Sequence, residues 1–358
     1  MVRMVLAAVV GLCMPLFASS LHRARVLVAD GLAPAAIARL NDGGVEVCEQ
    51  HLSAEELDEG GLAEYDAVIV RSATTVTARS IETGAAGRLK IIGRAGVGVD
   101  NIDCDAARSS GLTVLNTPGA STTSVVELTL AHMLAAARGL HAADVGLKSG
   151  AWLKGRIKLG TAGGPRAGHE LAGKRLGLLG FGRIAKGVAR AASALGMEVR
   201  AYSRSADPEE AAELGVMLVA SDADLFASCT HVAVLCALSD ETRGLVDLKR
   251  MELMPQKGAD GTPCGAHLFN LARGGIVVEA DAATALQDGA LSTYAADVFE
   301  QEPPPSTNPL LPLDDFHGTP HVGAATLEAQ ARVGMIIANS VLGALEGAPP
   351  PEGVVVRG

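Results

Sequence analysis

Short apolar runs alternate along the chain with longer stretches that are amphipathic or rich in alanine. A short apolar run bounded by polar or turn residues is typical of a buried strand, and its alternation with helical patterns is typical of parallel sheets. The first series of predicted strands comprises Val26–Ala29, Val45–Cys48, Ala67–Val70, Lys90–Gly93 and Leu112–Leu115. We therefore expect a parallel sheet with helices on both faces.

A second series of strands follows a predicted apolar helix over Val125–Arg138, which comes after four residues of N-cap type, Ser121–Ser124. A loop is predicted at Gly160, Gly163, Gly164 and Gly168. The second series of strands comprises Leu176–Leu179, Val199–Tyr202, Val216–Val219, His231–Cys236, His267–Asn270 and Thr293–Val298. The sequence therefore predicts an α/β fold with two doubly wound parallel-sheet domains. A cleft between two such domains is a natural active site.

The composition narrows the range of partners. The 358 residues are 48% hydrophobic and 20% charged, which supplies enough core for two domains. The formal net charge of −10 argues against contact with a phosphate backbone, so we expect no nucleic acid partner. Six cysteines occur without a C-x-x-C pair or a zinc-ligand spacing, which predicts no metal and a reducing compartment. The body of the chain contains no predicted membrane helix.

A glycine-rich turn joins a predicted strand to a predicted helix. Gly180, Gly182 and Ala185 form the pattern G-x-G-x-x-A directly after the strand Leu176–Leu179. Gly180 permits a tight turn, Gly182 lets the backbone approach a pyrophosphate, and Ala185 allows the helix to pack closely on the strand. The N-terminus of the helix offers free N–H groups to the anion. An ordinary turn would use similar glycines, but the strand–turn–helix context favours dinucleotide binding.

The choice between NAD and NADP depends on the end of the next predicted strand. NAD binding usually places an acidic residue there to bind the ribose, whereas this chain has Ser203, Arg204 and Ser205. Arg204 is suited to pair with a 2′-phosphate and the two serines are suited to hydrogen-bond it. These residues favour NADP, or the use of both cofactors. If Arg204 is simply solvated, NAD still binds through its pyrophosphate.

Three polar residues at the ends of predicted strands suit hydride transfer to a 2-keto acid. The reaction needs a cation for the carboxylate and carbonyl, a proton donor near neutral pH, and a carboxylate that orients the donor and favours its charged form. Arg273, His321 and Glu302 fill these roles in that order. Taken singly, each has a structural explanation, as a capping residue, a core histidine and a solvated loop residue. Their joint occurrence after the dinucleotide turn favours catalysis.

At these positions the sequence resembles the D-2-hydroxyacid dehydrogenase family, over nearly all of the chain from Arg25 to Val355. The resemblance rests on the segments Val70–Thr74, Gly93–Asn101, Asn116–Pro118, Gly180–Ala185, Asn270–Gly275, Asp297–Pro303 and Pro320–Ala324. Within the family, the segments at Arg71-Ser72 and Gly93–Asn101 most resemble 3-phosphoglycerate dehydrogenase. The resemblance implies an oxidoreductase that converts 3-phosphoglycerate to 3-phosphohydroxypyruvate in serine biosynthesis.

The resemblance also implies a domain arrangement and a set of site residues. It implies a flavodoxin-like substrate domain over 23–118 and 320–358, with a Rossmann NAD(P)-binding domain over 119–319 inserted into it. Arg273, Glu302 and His321 would be catalytic. The substrate would contact Arg71, Ser72, Arg94, Val97, Gly98, Arg273 and His321. The cofactor would contact Val97, Gly180, Gly182, Arg183, Ile184, Ser203, Arg204, Ser205, Cys236, Leu271, Ala272, Asp297, Gly323 and Ala324.

Four features depart from the family pattern. Ser203 replaces the usual acidic residue, and Leu235-Cys236-Ala237 replaces a His-Thr-Pro-like stretch, so the adenosine pocket is altered. Gly258–Gly265 is interpreted as a surface loop insertion before the Arg273 strand. The sequence ends near residue 358 without the regulatory domains of some relatives, so serine feedback through such a domain is not expected.

Several alternatives remain open. An NADP-preferring glyoxylate or hydroxypyruvate reductase fits the residues at 203–205, whereas Arg71 and Arg94 favour a phosphorylated substrate. A corepressor-like protein that senses the cofactor would keep the same fold and triad. The family resemblance implies a homodimer. Residues 1–22 are signal-like or a disordered extension, and the nicotinamide cofactor favours a cytoplasmic location or an organelle such as a plastid.

Overall fold

The computed structural model describes residues 23–155 and 167–351, which divide into two units. Unit 1 comprises residues 23–94, Gly98–Leu115 and 337–351, and unit 2 comprises Ala95–Val97 and Asn116–Ile336. The signal-like segment 1–22 and the glycines at 160, 163 and 164 of the predicted loop lie outside the described residues. Among the helices that the structure describes, none combines the length and hydropathy required to cross a membrane.

Unit 1 is built on a parallel sheet with the strand order β2-β1-β3-β4-β5. Its strands are β1 (Arg25–Val28), β2 (Glu46–Glu49), β3 (Ala67–Val70), β4 (Ile91–Arg94) and β5 (Thr113–Leu115). Its helices are α1 (Pro34–Asp42), α2 (Ala54–Glu56, continued by a π-helical turn over Leu57–Gly61), α3 (Ala78–Ala85) and α4 (Cys104–Ser109). Every residue of β3 and β4 is buried, as expected for central strands covered on both faces. The order is that of flavodoxin-like sheets, which confirms the predicted fold of this part of the chain.

Unit 2 contains a longer parallel sheet with the order β12-β11-β10-β9-β6-β7-β8. Its strands are β6 (Arg175–Leu179), β7 (Glu198–Tyr202), β8 (Met217–Leu218), β9 (His231–Val234), β10 (His267–Asn270), β11 (Thr293–Ala296) and β12 (Phe316–Gly318). The strands β8-β7-β6-β9-β10-β11 follow the Rossmann order, and β12 extends the sheet by one strand. The predicted Rossmann fold is therefore confirmed.

The helices of unit 2 cover both faces of this sheet's core. They are α5 (Thr122–Arg138), α6 (Leu140–Lys148), α7 (Arg183–Ala194), α8 (Pro208–Glu213), α9 (Asp222–Ser228), α10 (Leu248–Glu252) and α11 (Glu279–Gln287), and α12 (Leu327–Leu345) begins here and ends in unit 1. Helix α5 begins at Thr122 after the N-cap residue Ser121, and it stops where Gly139 adopts a left-handed conformation with φ 57°. The predicted helix over Val125–Arg138 is thus real but starts three residues earlier.

Two predicted strands end two residues sooner than expected, and the difference bears on function. The strand predicted over His231–Cys236 ends at Val234, and the strand predicted over Thr293–Val298 ends at Ala296. The apolar residues beyond these ends lie in loops at the carboxyl edge of the sheet. Apolar side chains also suit such packed loops, so the apolar pattern extends beyond the last strand residue. Cys236 and Asp297 are therefore loop residues, free to present their groups beyond the sheet.

The boundary between the units after β12 differs from the boundary implied by the family resemblance. That resemblance implied a return to the substrate domain at residue 320, whereas unit 2 extends to Ile336. The reason is a set of hydrogen bonds that keep this segment with unit 2. Thr326 is hydrogen-bonded to Ser124 at 2.8 Å, and Arg332 donates to the carbonyl of Ala120 at 2.9 Å.

The insertion at Gly258–Gly265 forms a small hairpin at the amino ends of the unit 2 strands. Lys257 and Pro263 make an antiparallel bridge, and Asp260 pairs with the buried amine of Lys174 at 2.9 Å. This Lys174 hydrogen bond is the largest of the contacts that lower the pKa of Asp260 to about 2. Residues 259–263 are exposed, as expected of a surface insertion, and a charge pair anchors the hairpin.

Candidate active site

The carboxyl edge of the unit 2 sheet carries most of the residues predicted to bind the cofactor. Because all strands of this sheet are parallel, the loops after β6, β7, β9, β10 and β11 emerge at the same edge. The strand order reverses between β6 and β9, and open α/β sheets bind ligands at such a reversal. Gly180, Ser203, Cys236, Leu271 and Asp297 each follow one of these strands.

The glycine turn after β6 has a backbone that only glycine tolerates. Gly180 has φ 101°, and a Cβ there would lie 2.8 Å from the Cα of Cys236. The turn therefore lies directly against the loop after β9. Gly182 is the N-cap of α7, whose first residues are Arg183 and the half-buried Ile184. Ala185 is fully buried, in agreement with its predicted packing role.

The environment of Gly182 provides a test of whether a dinucleotide fits. A Cβ on Gly182 would meet no protein atom within 4 Å, so the packing of this chain does not itself require a glycine. A glycine at an open helix N-terminus is instead what a pyrophosphate needs, because the anion must approach the backbone N–H groups closely. The residues present therefore fit a dinucleotide.

The loop after β7 lies beside a carboxylate that the sequence pattern did not reveal. Arg204 is exposed and lies 3.5 Å from Glu241, which comes from the loop after β9. A hydrogen bond from Ser239 is the largest of the contacts that lower the pKa of Glu241, so this carboxylate is ionised at neutral pH. Ser203 stands where an acidic residue is usual, yet Glu241 supplies a carboxylate beside Arg204 from another loop. The two residues are far apart in sequence, and only the fold brings them together.

The remaining predicted cofactor residues of unit 2 lie in loops. Leu271 is buried among the core side chains, so only its backbone can face a ligand, while Ala272 is half-buried. Gly323 is held by a hydrogen bond from its N–H to Asp297 at 2.8 Å, and Ala324 follows it. Val97 is exposed, and its carbonyl accepts a hydrogen bond from Asn116 at 2.8 Å.

His321 and Glu302 form a hydrogen-bonded pair. The Nδ1 atom of His321 lies 2.7 Å from Oε2 of Glu302, and each side chain is about one-third exposed. The other carboxylate oxygen of Glu302 accepts the N–H of Phe299 at 3.1 Å, which fixes the carboxylate from its own loop. With Nδ1 engaged by the carboxylate, Nε2 is the ring atom left to exchange a proton with a substrate.

The environment of Glu302 keeps its carboxyl ionised. Burial by itself raises the pKa of Glu302, but the hydrogen bond and charge of His321, the N–H of Phe299 and the charge of Arg273 together outweigh burial and lower that pKa. The influence of Arg273 also shows that all three predicted catalytic residues share one electrostatic neighbourhood.

Asp297 positions the loop that carries His321. Its buried carboxylate accepts hydrogen bonds from the hydroxyl of Thr319 at 2.7 Å and from the N–H groups of Val322 and Gly323, both at 2.8 Å. The backbone N–H of His321 donates to the carbonyl of Asp297 at 2.9 Å. These bonds hold His321 at φ 52°, a left-handed conformation that costs a residue with a side chain free energy. Asp297 thus fixes the direction of the imidazole.

Arg273 lies on the loop after β10, which packs directly on the loop that leads to Glu302. The buried Asn270 shapes this loop, because its side chain donates to the carbonyl of Arg273 at 3.0 Å and accepts the N–H of Ala272 at 3.2 Å. A Cβ on Gly274 would lie 1.7 Å from the carbonyl oxygen of Phe299. The two backbones therefore touch only because residue 274 has no side chain.

Unit 1 carries the predicted substrate residues at the carboxyl edge of its own sheet. Val70 and Arg94 are register partners on β3 and β4, so Arg71 and the buried Arg94 emerge at the same edge. The N–H of Arg71 donates to Asp30 at 2.6 Å, and its carbonyl accepts from Asn101 at 2.7 Å, which holds the loop. Ser72 is exposed, and Gly98 is half-buried.

Comparison with known proteins agrees with this arrangement. Residues 130–323 match the family model for the NAD-binding domain of D-isomer-specific 2-hydroxyacid dehydrogenases. The chain belongs to this D-2-hydroxyacid dehydrogenase family. It is 42% identical to a D-3-phosphoglycerate dehydrogenase of Archaeoglobus fulgidus, over 91% of this chain and 58% of that protein. The chain therefore spans about three-fifths of the length of that relative.

Two further proteins are similar over their full length. A hydroxypyruvate reductase of Thermotoga maritima is 41% identical over 89% of this chain and 97% of the reductase. The crystal structure of the TT0316 protein from Thermus thermophilus superposes with a TM-score of 0.79 at 32% identity, covering 93% of this chain and all of that one. These matches support both the fold and the family.

Some residues that shape this site were not predicted as such. Asn270 and Asp297 lie in segments that carry the family resemblance. Their positioning roles, however, depend on hydrogen bonds that a sequence does not display. Glu279 on α11 was missed altogether. It is buried, and it accepts the N–H of Glu300 at 2.6 Å and the amide of Asn308 at 2.5 Å, which holds the loop before Glu302. No motif in the sequence singles out Glu279, because its partners Glu300 and Asn308 are brought to it only by the fold.

Replacement of Gly274 by alanine is expected to destabilise the protein by about 3 kcal/mol, since a backbone contact cannot be relieved by a side-chain rotation. The shift of either loop also moves Arg273 or Glu302, so activity falls with stability. Thermal unfolding and initial rates measure both effects. Gly343→Ala is the matched control, because its Cβ would meet nothing closer than 3.8 Å. Equal melting temperatures for the two variants would contradict the role of Gly274.

The stability contributed by Glu302 is expected to depend on pH. Because its folded pKa is lowered, the contribution is complete above the unfolded carboxyl pKa of about 4.3 and is lost as the pH falls through the folded value. The difference in melting temperature between the wild type and Glu302→Gln should therefore shrink below about pH 4. A difference that stays constant from neutral to acid pH would show that the carboxylate charge contributes nothing. Glu55→Gln, at an exposed position, controls for general acid effects.

Proposed function

We propose that the protein oxidises a D-2-hydroxy acid to the 2-keto acid, or performs the reverse reduction, with 3-phosphoglycerate as the hydroxy acid. The observation that carries this proposal is the coexistence, at one edge of the unit 2 sheet, of a dinucleotide-type glycine turn and the Arg273, Glu302 and His321 group. In the oxidation, C2 loses a hydride and its hydroxyl loses a proton. The nicotinamide of bound NAD(P) supplies the acceptor for the hydride.

We assign the proton transfer to His321. Its Nε2 takes the proton of the substrate hydroxyl during oxidation and returns it during reduction. Glu302 holds the ring through Nδ1 and stabilises the positive charge that the ring gains. Asp297 keeps the imidazole in its direction through the loop at 319–323.

We assign the substrate carboxylate and the C2 oxygen to Arg273. A guanidinium offers paired N–H donors that match a carboxylate, and its charge stabilises negative charge that develops on the C2 oxygen during reduction. We assign the substrate phosphate to Arg71 and Arg94, since two cations at the edge of one sheet suit a dianion. Ser72 and the backbone at Val97–Gly98 complete the proposed substrate contacts.

A second candidate function is the reduction of hydroxypyruvate. It is supported by the 41% identity to the Thermotoga maritima hydroxypyruvate reductase, which is nearly equal to the 42% identity to the Archaeoglobus fulgidus relative. The experiment that separates the two candidates measures the absorbance of reduced nicotinamide with 3-phosphoglycerate, hydroxypyruvate, glyoxylate and D-lactate, each with NAD(H) and NADP(H). Turnover confined to the non-phosphorylated acids would overturn the first proposal, and no turnover with any pair would overturn both.

The cofactor preference is expected to depend on Arg204 and Glu241 in opposite ways. Loss of a charged hydrogen bond to a 2′-phosphate costs about 1.5–3 kcal/mol, so Arg204→Ala should raise the KM for NADPH by roughly 10- to 100-fold and leave the KM for NADH almost unchanged. Glu241→Gln frees Arg204 and should lower the KM for NADPH. Arg190→Ala, on the exposed face of α7, is the control. Equal changes with both cofactors would remove Arg204 from cofactor selection.

We infer that the chain forms a homodimer through α5, α6 and the residues after them. This region exposes several large apolar side chains, which are costly to leave in water. They are Leu134, Leu140, Val145, Leu147 and Trp152, with exposed fractions between 42% and 79%. Sedimentation of the wild type and of Val145→Asp tests the inference, and a monomeric wild type would overturn it.

We also propose a location that contains nicotinamide cofactors, in the cytoplasm or an organelle. Imaging of the tagged full chain tests this proposal.

A further inference from the structure

Three histidines meet at the amino edge of the unit 2 sheet, the edge opposite the candidate active site. His231 begins β9 and His267 begins β10, and the two are register partners on adjacent parallel strands. His169 precedes β6, and its backbone N–H donates to the carbonyl of Ala137 near the end of α5 at 2.9 Å. Three separate segments of unit 2 are therefore required to bring these imidazoles together. His231 and His267 are buried, and His169 is partly exposed.

One ring nitrogen from each histidine lies within 4.8 Å of the others. The Nε2 atoms of His169 and His231 are 3.1 Å apart. Tetrahedral zinc bound at about 2.0–2.1 Å places its ligand nitrogens roughly 3.3 Å apart, so this pair already has the required separation. The third nitrogen lies at most 4.8 Å from the other two, so it has to come closer to them by at most roughly 1.5 Å. A rotation of the partly exposed His169 and small adjustments of the other rings can supply this movement.

The hydrogen bonds of the cluster indicate which ring nitrogens could bind a metal ion. Nδ1 of His231 is 3.0 Å from the hydroxyl of Thr230, which leaves Nε2 to face His169. Nε2 of His267 is 2.8 Å from the carbonyl of Cys264, and a carbonyl only accepts, so Nε2 carries the proton and Nδ1 carries the lone pair. Histidines that bind metals typically donate their second N–H to an oxygen in this way.

We propose that His169, His231 and His267 form a Zn²⁺ site with three imidazole ligands and water at the fourth position. Neutral nitrogen ligands in a three-histidine set suit Zn²⁺ among the common divalent ions. The partial exposure of His169 gives water a route to the fourth position. The ion binds without any covalent or redox step.

Nearby charge does not oppose the bound ion strongly. Lys174 is the neighbouring cation, and it is paired with Asp260 at 2.9 Å. Asp260 belongs to the same hairpin whose residue Cys264 orients His267. The hairpin inserted before β10 therefore supplies both a neutralising carboxylate and a contact to a ligand. The ion would join this hairpin, the start of β9 and the segment before β6, so it should stabilise unit 2 against unfolding.

The test is Zn²⁺ binding by the full-length protein, purified without a polyhistidine tag and stripped with a chelator. Competition with a chromophoric chelator should give one tight Zn²⁺ per chain, and Co²⁺ should give the visible absorption of tetrahedral coordination. Zn²⁺ should raise the melting temperature, whether or not the protein turns over any hydroxy acid. The result therefore does not depend on the proposed function.

Variants decide whether the three histidines are the ligands. Thr230→Val removes only the hydrogen-bond partner of His231 and should weaken Zn²⁺ binding by roughly 10- to 100-fold. His169→Gln removes a ligand and should weaken Zn²⁺ binding by more than that. His169 is partly exposed, so its variant should fold even if a variant of His231 does not. His51→Gln, in unit 1, is the matched control and should bind normally. Absence of stoichiometric binding by the wild type, or full affinity in His169→Gln, would overturn the proposal.

Discussion

Arg273→Ala is expected to lower kcat/KM by roughly 10²- to 10³-fold while the dissociation constants of NAD(H) and NADP(H) stay nearly unchanged. The loss is large because the guanidinium is assigned to both the substrate carboxylate and the charge that develops on the C2 oxygen. Cofactor binding is preserved because the glycine turn follows β6, whereas Arg273 follows β10. Initial rates give the first quantity, and fluorescence titration of the reduced nucleotide gives the second.

Arg273→Lys separates the charge of this residue from its geometry. Lysine keeps the positive charge but lacks the planar pair of donors, so its activity should lie between those of the wild type and the alanine variant. Arg190→Ala removes an exposed arginine from α7 and should behave as the wild type. If Arg273→Ala retains near-normal kcat/KM with every substrate of the panel, Arg273 has no role in the reaction and the assignment fails.

The sequence predicted the fold well because its strongest signals are local. The apolar runs at Ala67–Val70 and His267–Asn270 coincide with strands of the same bounds. Both strands are buried on two faces, so each appears in the sequence as a short, mainly apolar run. The strand order also followed, because the family resemblance supplied the long-range pairing that periodicity alone does not contain. The ends of β9 and β11 were misjudged because buried apolar loop residues carry the same signal as strand residues.

Features that depend on contacts between distant residues could not be predicted in the same way. The Arg204 and Glu241 pair forms where two loops meet, and neither residue indicates the other in sequence. Gly274 belongs to a segment that carries the family resemblance, but the contact with Phe299 that excludes a side chain there depends on the fold. The histidine cluster is the clearest case. The expectation of no metal rested on short ligand spacings, whereas His169 and His231 are 62 residues apart and meet only through the sheet.

His321→Gln is expected to lower kcat by about 10²- to 10⁴-fold, the range for loss of a positioned general acid or base. Glutamine can still hydrogen-bond Glu302 but cannot carry a proton between a substrate and solvent. Glu302→Gln should cost less, because the imidazole remains and loses only its orientation and the charge that stabilises its protonated form. The KM values should change little in both variants if the groups act mainly on the transition state.

The double variant shows whether His321 and Glu302 act as a unit. If Glu302 contributes only through the imidazole, then His321→Gln with Glu302→Gln should be about as slow as His321→Gln alone, and the two losses should not add. The 2.7 Å contact between Nδ1 and the carboxylate is the structural basis for this expectation. Losses that multiply would instead assign Glu302 a separate contact with the substrate. A His321→Gln enzyme with near-normal kcat would remove the imidazole from proton transfer and leave the proposed mechanism without its acid and base.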